Sequence, residues 1–398
     1  MDGFSNCINI ESEYNAVTLR YKQQLDKYLG NFLIAIHLVA ARILGFILRR
    51  NHTLQPAPEH ILFIKIMGIG SVLMAADGIL AIRNKYPDAK LILLGNPSVI
   101  SGIRPAGLFD EYWAYHDTSF LKAAGSTIKN LFRSWQKRKL WVCNMEVYSK
   151  LTTIFSLWTC ARNRFDFFFN EVSFRKNINT HPVYFNQFSL AHENYDRMAE
   201  ALGAEIKISF EFDDHAKAGR ALSGRKYIII SNTCSELARE RLYPDDLLVQ
   251  LCIHLFQKYH CPLLLSGTKA DRSYYDRLLQ NNLLKEVPVQ NIAGDHSMEA
   301  FISLLYTDCR LLVTVDSAPL HFAFRLGVPA VSLWGPTHPA TRMKESRLFK
   351  AVYLSVDCSP CAHHTTVLPC GGNNICMKNM TPALVMQKVG EVMSNLNG

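Results

Sequence analysis

Two short polar turns carry most of the chemistry legible in this chain. The first, Asp316-Ser317-Ala318-Pro319, follows the apolar run Leu311 to Val315 and opens a helical stretch bearing His321. The second, Gly335-Pro336-Thr337-His338-Pro339, closes the apolar run Pro329 to Trp334. Strand, polar turn, helix, strand, polar turn is the unit of a parallel α/β sheet. Each turn then lies at the carboxyl end of a strand, where open α/β sheets bind ligands. The free N–H groups of a helix beginning at Ser317 and Ala318 favour an anion such as a diphosphate. Asp316 and His321 can reach polar groups of that same ligand. An N-cap aspartate and a packed histidine would explain one turn; a second turn at the same edge, with Thr337 and His338, favours a site.

The 398 residues suggest two domains, and 48% hydrophobic against 19% charged residues suffices for two large cores. A net charge of +9 favours acidic partners such as anionic lipid or phosphate. No basic run with regular aromatic spacing resembles a nucleic-acid module, so no nucleic-acid partner is expected. The 11 cysteines are an odd number with no cleavable secretory signal before them, which points to the cytosol rather than a disulfide framework.

Residues 29–48 are mostly apolar and long enough to cross a bilayer. Lys27, Asn31, Arg42 and Arg49 fall on one narrow stripe, which suits a helix lying in the membrane interface, and the central Arg42 argues against spanning. Burial against the protein's own domain or a dimer partner is the other reading. Gln55-Pro56-Ala57-Pro58 reads as a linker. A strand from Ile61 to Ile66 then leads through the glycine loop Met67 to Ser71 into a helix from Val72 to Lys85. A short strand, Leu140 to Asn144, precedes Glu146 and Lys150. Residues 128–141 are basic with interleaved aromatics and read as a second membrane-facing patch, an acceptor funnel or a solvated helix face. A strand Tyr227 to Ser231 ends at Asn232 and is followed by Arg239, Arg241, Tyr243-Pro244 and a helix Asp245 to Tyr259. Cys358, Cys361, Cys370 and Cys376 form a turn-rich knuckle. Four thiolates so spaced suit zinc or iron, with two disulfides or four reduced thiols as alternatives.

The pattern D-[TS]-[GA]-P-x-H, then an apolar strand ending G-P-T-x-P, resembles the nucleotide-sugar site of glycosyltransferase family 9. The resemblance extends over most of residues 60–390. That family includes the ADP-heptose:lipopolysaccharide heptosyltransferases and has the GT-B fold. The implied fold is therefore α/β, two Rossmann-like domains facing a cleft, with an N-terminal apolar helix added. The implied division is a membrane-associating helix and linker (1–57), an acceptor domain (58–205), a nucleotide-sugar domain (206–380, with the knuckle at 358–376) and a C-terminal helix (381–398) packing back on the first domain.

The resemblance also implies site residues. A nucleotide-diphosphate sugar would lie on Asn232, Arg239, Arg241, Asp316, Ser317, Ala318, His321, Gly335, Thr337 and His338. Arg241 aligns best with the family's basic residue that neutralises the diphosphate, and Arg239 is the alternate. Arginine's planar fork suits phosphate oxygens. With that cation and a helix N-terminus, no catalytic divalent metal is expected. Gly68, Gly70 and Lys150 would meet the acceptor.

Lys65 to Ser71 follows the family's K-x-x-x-[IG]-G-[DS], but core heptosyltransferases carry an aspartate at the position of Ser71, thought to be the base. A serine hydroxyl cannot replace it unaided. Glu146 is the candidate replacement: residues 144–150 resemble the D-x-E-[FY]-[YF]-[ST]-[RK] segment of another branch, from which Asn144 and Val147 depart. Asp77 is a rival carboxylate, two turns into the following helix. Related transferases carry a similar cysteine element, and some that modify proteins hold iron there. The implied reaction is inverting transfer of a heptose-like sugar to a lipopolysaccharide, glycolipid or other glycan acceptor, or to a protein. The implied place is the cytoplasmic face of the bacterial inner membrane, against an anionic surface. A sugar-nucleotide epimerase or hydrolase, or a membrane-bound assembly factor that kept donor binding and lost catalysis, remain open; Ser71 keeps the last alive.

Overall fold

In the computed structural model the chain divides into two compact units, Met1–Phe210 and Glu211–Gly398. The structure describes residues 28, 30–212, 224–234, 239–362, 365 and 368–396.

Unit 1 opens with the helix α1 (Gly30–Leu48). There follow β1 (His60–Ile64), α2 (Ile69–Met74), α3 (Ala76–Lys85), β2 (Lys90–Gly95), α4 (Pro97–Ile103), β3 (Glu111–Ala114) and α5 (Phe120–Trp135). β4 (Leu140–Asn144), α6 (Lys150–Trp158), β5 (Asn163–Phe168), β6 (His181–Tyr184) and α7 (Ala191–Ala201) complete it. The strands form a parallel sheet in the order β3-β2-β1-β4-β5-β6. Helices cover both faces, so central strands such as Ile61–Ile64 are buried and read as unbroken apolar runs rather than alternating ones. The helix expected from Val72 to Lys85 steps at Ala75 into α2 and α3. Because β1 pairs with both β2 and β4, the sheet reverses direction between β1 and β4, and the loops leaving these strands emerge side by side.

The loop after β4 is built on a buried polar cluster. Arg175 and Asp166 pair at 2% and 1% side-chain exposure, a depth at which an unpartnered charge is not tolerated. Arg175 Nη2 donates to the Glu146 carbonyl at 2.6 Å, Nη1 to the Phe167 carbonyl at 2.9 Å and Nε to the Thr153 hydroxyl at 3.1 Å. Asn144 donates to Asp166 at 2.9 Å and accepts from the Glu146 amide at 3.2 Å. The backbone of residues 145–149 is thus fixed from below.

One face of α1 packs on this unit: Ile34, Leu38, Ala41 and Leu44 meet Ile154, Leu157, Phe174 and Ile178. The opposite face, including Phe32, Ile36, Val39, Ile43, Phe46 and Ile47, is exposed. Of the expected polar stripe, Asn31, Arg42 and Arg49 are exposed, and Lys27 lies outside the described residues.

Unit 2 repeats the architecture with β7 (Tyr227–Ser231), α8 (Asp245–Tyr259), β8 (Leu263–Leu265), α9 (Arg272–Leu279), β9 (Val289–Asn291), α10 (Met298–Thr307) and β10 (Cys309–Val315). α11 (Ala318–Leu326), β11 (Ala330–Trp334), β12 (Phe349–Tyr353), α12 (Ile375–Lys378) and α13 (Pro382–Ser394) follow. The parallel order β12-β11-β10-β7-β8-β9 places its switch point between β7 and β10. α13 places Val385, Val389, Val392 and Met393 in unit 2's own core with Leu248, Leu251 and Leu255 of α8. Its apolar residues recur on one face, and that face fits the gap between α8 and the β11–β12 edge.

Breaking the buried pair under the β4 loop leaves the Asp166 carboxylate buried without its counter-charge, with only neutral donors such as Asn144 and Asn179. Arg175→Met is expected to lower unfolding free energy by about 3–5 kcal/mol in urea titrations. A loss below about 1 kcal/mol would show that the cluster does not carry the loop.

Candidate functional site

Asp316 ends β10 and is the centre of the unit 2 site. Its Oδ2 accepts the Thr337 hydroxyl at 2.8 Å, and it lies 3.7 Å from Arg241 Nη1. Arg241 Nη1 also donates to the Asp316 carbonyl at 2.7 Å. Burial alone would push the Asp316 carboxyl up. The charges of Arg241, Arg342 and His321, with the Thr337 hydroxyl, outweigh burial and hold it below the ordinary range, so it is ionised. One carboxylate therefore ties together the turns after β7, β10 and β11.

The same turn starts α11. Ser317 has extended backbone and makes no side-chain cap, so the first-turn amides at Ala318 are left for an external acceptor, although Pro319 removes one. His321 stands one turn further on. Burial pulls its pKa down to about 4, against the attraction of Asp316, so at neutral pH it is an uncharged imidazole. Its part in holding a ligand is hydrogen bonding, and the cations at this edge are arginines. Arg342, four residues after His338, is a group the sequence reading missed. Its charge acts on both Asp316 and His321. Its position just past the second turn was the available signal. Arg239 shares the 3-10 turn Arg239–Arg241 and is exposed.

Other expected donor residues serve as braces. Asn232 is buried; its Nδ2 donates to the Tyr243 carbonyl at 2.8 Å and the Tyr274 hydroxyl at 3.0 Å, while its Oδ1 accepts the Tyr243 amide at 2.8 Å. Both amide protons are thereby used inside the protein, and Asn232 fixes the loop that carries Arg241. His338 Nδ1 accepts the Ala340 amide at 3.1 Å and its ring lies 4.7 Å from Tyr353. Gly335 is required by close packing: a Cβ there would sit 2.6 Å from Met377 Sδ and 2.9 Å from Cys376 Sγ.

That contact explains the cysteine segment. The amides of Cys361 and Ala362 donate to the Pro336 carbonyl at 2.9 and 2.8 Å, and Ser359 Oγ donates to the Gly335 carbonyl. Asn374 Nδ2 donates to the carbonyls of Glu240 and Leu242 at 2.9 and 3.1 Å. The segment thus props the turn after β11 and the turn holding Arg241. Cys358, Cys361, Cys370 and Cys376 are free thiols. Among the described residues no group of three or more His, Cys, Asp or Glu side chains is arranged to hold a metal ion. Burial pushes the Cys376 thiol up to about 11 and raises Cys361 as well, and the neighbouring thiols of the segment add to both shifts. Backbone hydrogen bonds and packing hold the knuckle shut.

The second cluster lies at the switch point of unit 1. Glu146 Oε1 accepts the amides of Ile66 and Met67 at 2.7 and 3.1 Å, and Oε2 pairs with Lys65 at 3.0 Å. Lys65 appears in the sequence as the first residue of the glycine-loop pattern, yet its pairing with Glu146 was not anticipated. Gly68 turns the loop with φ +94°, open to glycine at little cost, and a Cβ there would approach Ser71 Oγ to 3.2 Å. Gly70 and Ser71 lie in α2, with the Ser71 amide bonded to the Gly68 carbonyl. Glu146, Gly68 and Ser71 therefore share one loop cluster. Asp77 does not: its Oδ1 accepts the Phe210 amide at 2.6 Å and the Ser209 hydroxyl at 3.3 Å. Lys150 begins α6, with its ammonium 5.4 Å from the Phe174 ring and its stem against Gly30 of α1.

Residues 156–371, more than half of the chain, match the family model described as glycosyltransferase family 9 (heptosyltransferase). The chain belongs to that family. Over 143 residues it is 27% identical to lipooligosaccharide heptosyltransferase 2 of Campylobacter jejuni, covering 35% of this chain and 43% of that relative. The chain thus spans less than half the length of the curated relative it matches. The solved structure of Escherichia coli ADP-heptose lps heptosyltransferase II matches 85% of this chain and 100% of its own at a TM-score of 0.64 and 16% identity. The Escherichia coli heptosyltransferase WaaC with ADP-2-deoxy-2-fluoro heptose matches 83% and 99% at 0.62 and 12%. At such identities the likeness is one of fold: two Rossmann-like units, the GT-B class, with the apolar α1 added.

The depressed His321 has a consequence for stability. Above its unfolded pKa of 6.5 both states are neutral and the fold has its full stability. Between 6.5 and about 4 the unfolded chain binds the extra proton, so stability falls as pH falls through that window. At about 1.4 kcal/mol per pH unit, lessened by the solvent the ring still meets, wild type should lose up to about 3 kcal/mol more than His321→Gln. Urea titrations of both proteins from pH 8 to pH 4 test this; parallel curves would contradict it.

Proposed function

We propose that this family 9 glycosyltransferase moves a heptose-like sugar from an ADP-sugar to a lipooligosaccharide-type acceptor with inversion. The observation that carries this reading is the Asp316 interlock, which fixes a cation, a helix N-terminus and a neutral imidazole at one strand edge. In this reading the diphosphate lies against Arg241 and the first turn of α11, with Arg342 as a second cation. Those groups stabilise the charge that develops as the anomeric carbon–oxygen bond breaks. His321 and Thr337 hold polar groups of the donor. The loop cluster of unit 1 takes the acceptor. There Glu146 Oε2 receives the proton of the acceptor hydroxyl, whose oxygen attacks the anomeric carbon in one displacement. Of the two carboxylate candidates, Glu146 is the one that bonds the loop leading to Gly68 and Ser71. Its two amide bonds and its lysine hold the carboxylate in place against that loop. Such a base works by taking the proton as the new bond forms.

The acceptor, in this reading, is lipid-linked, and the protein works at the cytoplasmic face of the inner membrane, where α1 rests on anionic headgroups.

The test is a transfer assay with ADP-heptose and a heptose-deficient lipooligosaccharide, read by mass spectrometry of the product. The expected result is one added heptose, with Glu146→Gln retaining ADP affinity and losing about 10²–10⁴ in turnover. Asp77→Asn should turn over normally. Free sugar or an epimer in place of a glycosylated acceptor would establish a hydrolase or epimerase. No transfer with any donor that binds would favour the assembly factor.

A further inference from the structure

We infer that unit 1 meets an anionic bilayer through α5 as well as α1, and that the outward faces of the two helices, joined by α6, form one membrane-seated surface. This deepens the membrane reading above.

The observation is that α5 is turned inside out. A helix on a soluble domain buries its apolar stripe and shows water its polar one. In α5 the inward positions are Ser126, Asn130 and Ser134, all buried. Each makes a local hydrogen bond: the Ser126 hydroxyl accepts the His116 amide at 3.2 Å, Asn130 donates to the Ala114 carbonyl at 2.9 Å and Ser134 to the Leu131 carbonyl at 2.7 Å. Leu121, Ile128, Phe132 and Trp135 recur on the opposite side and are 81, 55, 57 and 51% exposed. Lys122 and Lys129, seven residues apart, flank that stripe along one border. Apolar residues on one face with lysines beside them are the pattern of a helix lying at a lipid interface.

The surface continues into α1. Trp135 Nε1 donates to the Trp158 carbonyl at 2.7 Å, which joins α5 to the end of α6. The Trp158 ring stands edge-on to His37 at 5.8 Å, which joins α6 to α1. The charge pattern selects the partner. Residues 28–58, 118–145 and 147–165, which contain all three helices, hold no aspartate or glutamate. Arg42, Arg49, Lys122 and Lys129 are all exposed within them. An apolar face rimmed only by cations matches an anionic lipid surface, where each such cation adds to binding.

The experiment uses the full chain and vesicles free of glycolipid, so its outcome does not depend on which acceptor the enzyme uses. Vesicles of phosphatidylcholine alone are compared with vesicles containing phosphatidylglycerol. Ile128→Ser with Phe132→Ser should lower partitioning onto the anionic vesicles by at least about tenfold, because two large exposed apolar side chains lose their buried state. Phe32→Ser with Ile43→Ser on α1 should do the same. Lys122→Gln with Lys129→Gln should erase part of the preference for anionic over neutral vesicles. Leu283→Ser, exposed on unit 2, should change nothing. Circular dichroism and ADP binding confirm that each variant is folded. If the α1 pair releases the protein and the α5 pair does not, α1 is the anchor by itself and the inference fails. It also fails if the α5 pair leaves partitioning intact and converts a dimer to a monomer in sedimentation, since a second copy then covers the face.

Discussion

The arrangement of unit 2 hangs on one carboxylate. Asp316 sits at the end of a buried strand, where an ionised group is costly unless charges and hydrogen bonds surround it. Arg241, Arg342 and Thr337 meet that demand, and in doing so they are drawn to one edge. The stabilising contacts of Asp316 are thus the same contacts that shape the proposed diphosphate site. Two flanking devices keep the partners in place. Asn232 locks the loop bearing Arg241, and the segment 359–376 buttresses both that loop and the Gly335 turn through backbone carbonyls. Unit 1 repeats the logic with the signs rearranged: Glu146 is held by Lys65 and two amides, while the buried Arg175–Asp166 pair supports its backbone. In both units the cluster lies at the switch point of a parallel sheet, where two loops diverge and leave room for a ligand.

Much of this was legible in the sequence because it is local. The strands Leu140–Asn144 and Tyr227–Ser231 and the helix Asp245–Tyr259 are found at the expected bounds, since apolar runs buried on both faces and a clean 3.6-residue period leave little ambiguity. Asp316 stands out in the sequence as a polar residue at the end of an apolar strand, and Arg241 was singled out by the family pattern the chain resembles. The rest depends on contacts between residues far apart in the chain. That Asn232 grips Tyr243 and Tyr274, that Lys65 pairs with Glu146 81 positions away and that α13 belongs to the core of unit 2 cannot be read from spacing. The cysteine spacing likewise says nothing of the brace: the backbone bonds to Pro336 and from Asn374 tie residues far apart in the chain. For helix α5 the basic and aromatic residues from 128 onward left three readings open, because amphipathicity gives a stripe without saying which side faces the protein.

The two units divide the labour the proposed reaction needs. In the proposed reaction unit 2 supplies fixed positive charge and oriented amides, and its neutral histidine would let the edge hold a diphosphate without presenting an acid to the sugar. Unit 1 supplies a carboxylate held by two amides and a lysine and, on another side, an apolar surface bordered by arginine and lysine. A transferase acting on a lipid-linked acceptor requires both a water-soluble donor pocket and a surface that prefers lipid, and those needs are met by separate elements.

The most direct measurement of the central claim is calorimetry of ADP against AMP on the wild type and on Arg241→Gln. The β-phosphate is the group that Arg241 and the α11 N-terminus are argued to hold. Wild type should bind ADP more tightly than AMP by about ten- to a hundredfold, the size of a charge-assisted phosphate contact, and Arg241→Gln should lose most of that advantage while binding AMP as before. Equal affinities for ADP and AMP in the wild type, or an unchanged advantage in Arg241→Gln, would contradict the assignment of the Asp316 edge as the diphosphate site.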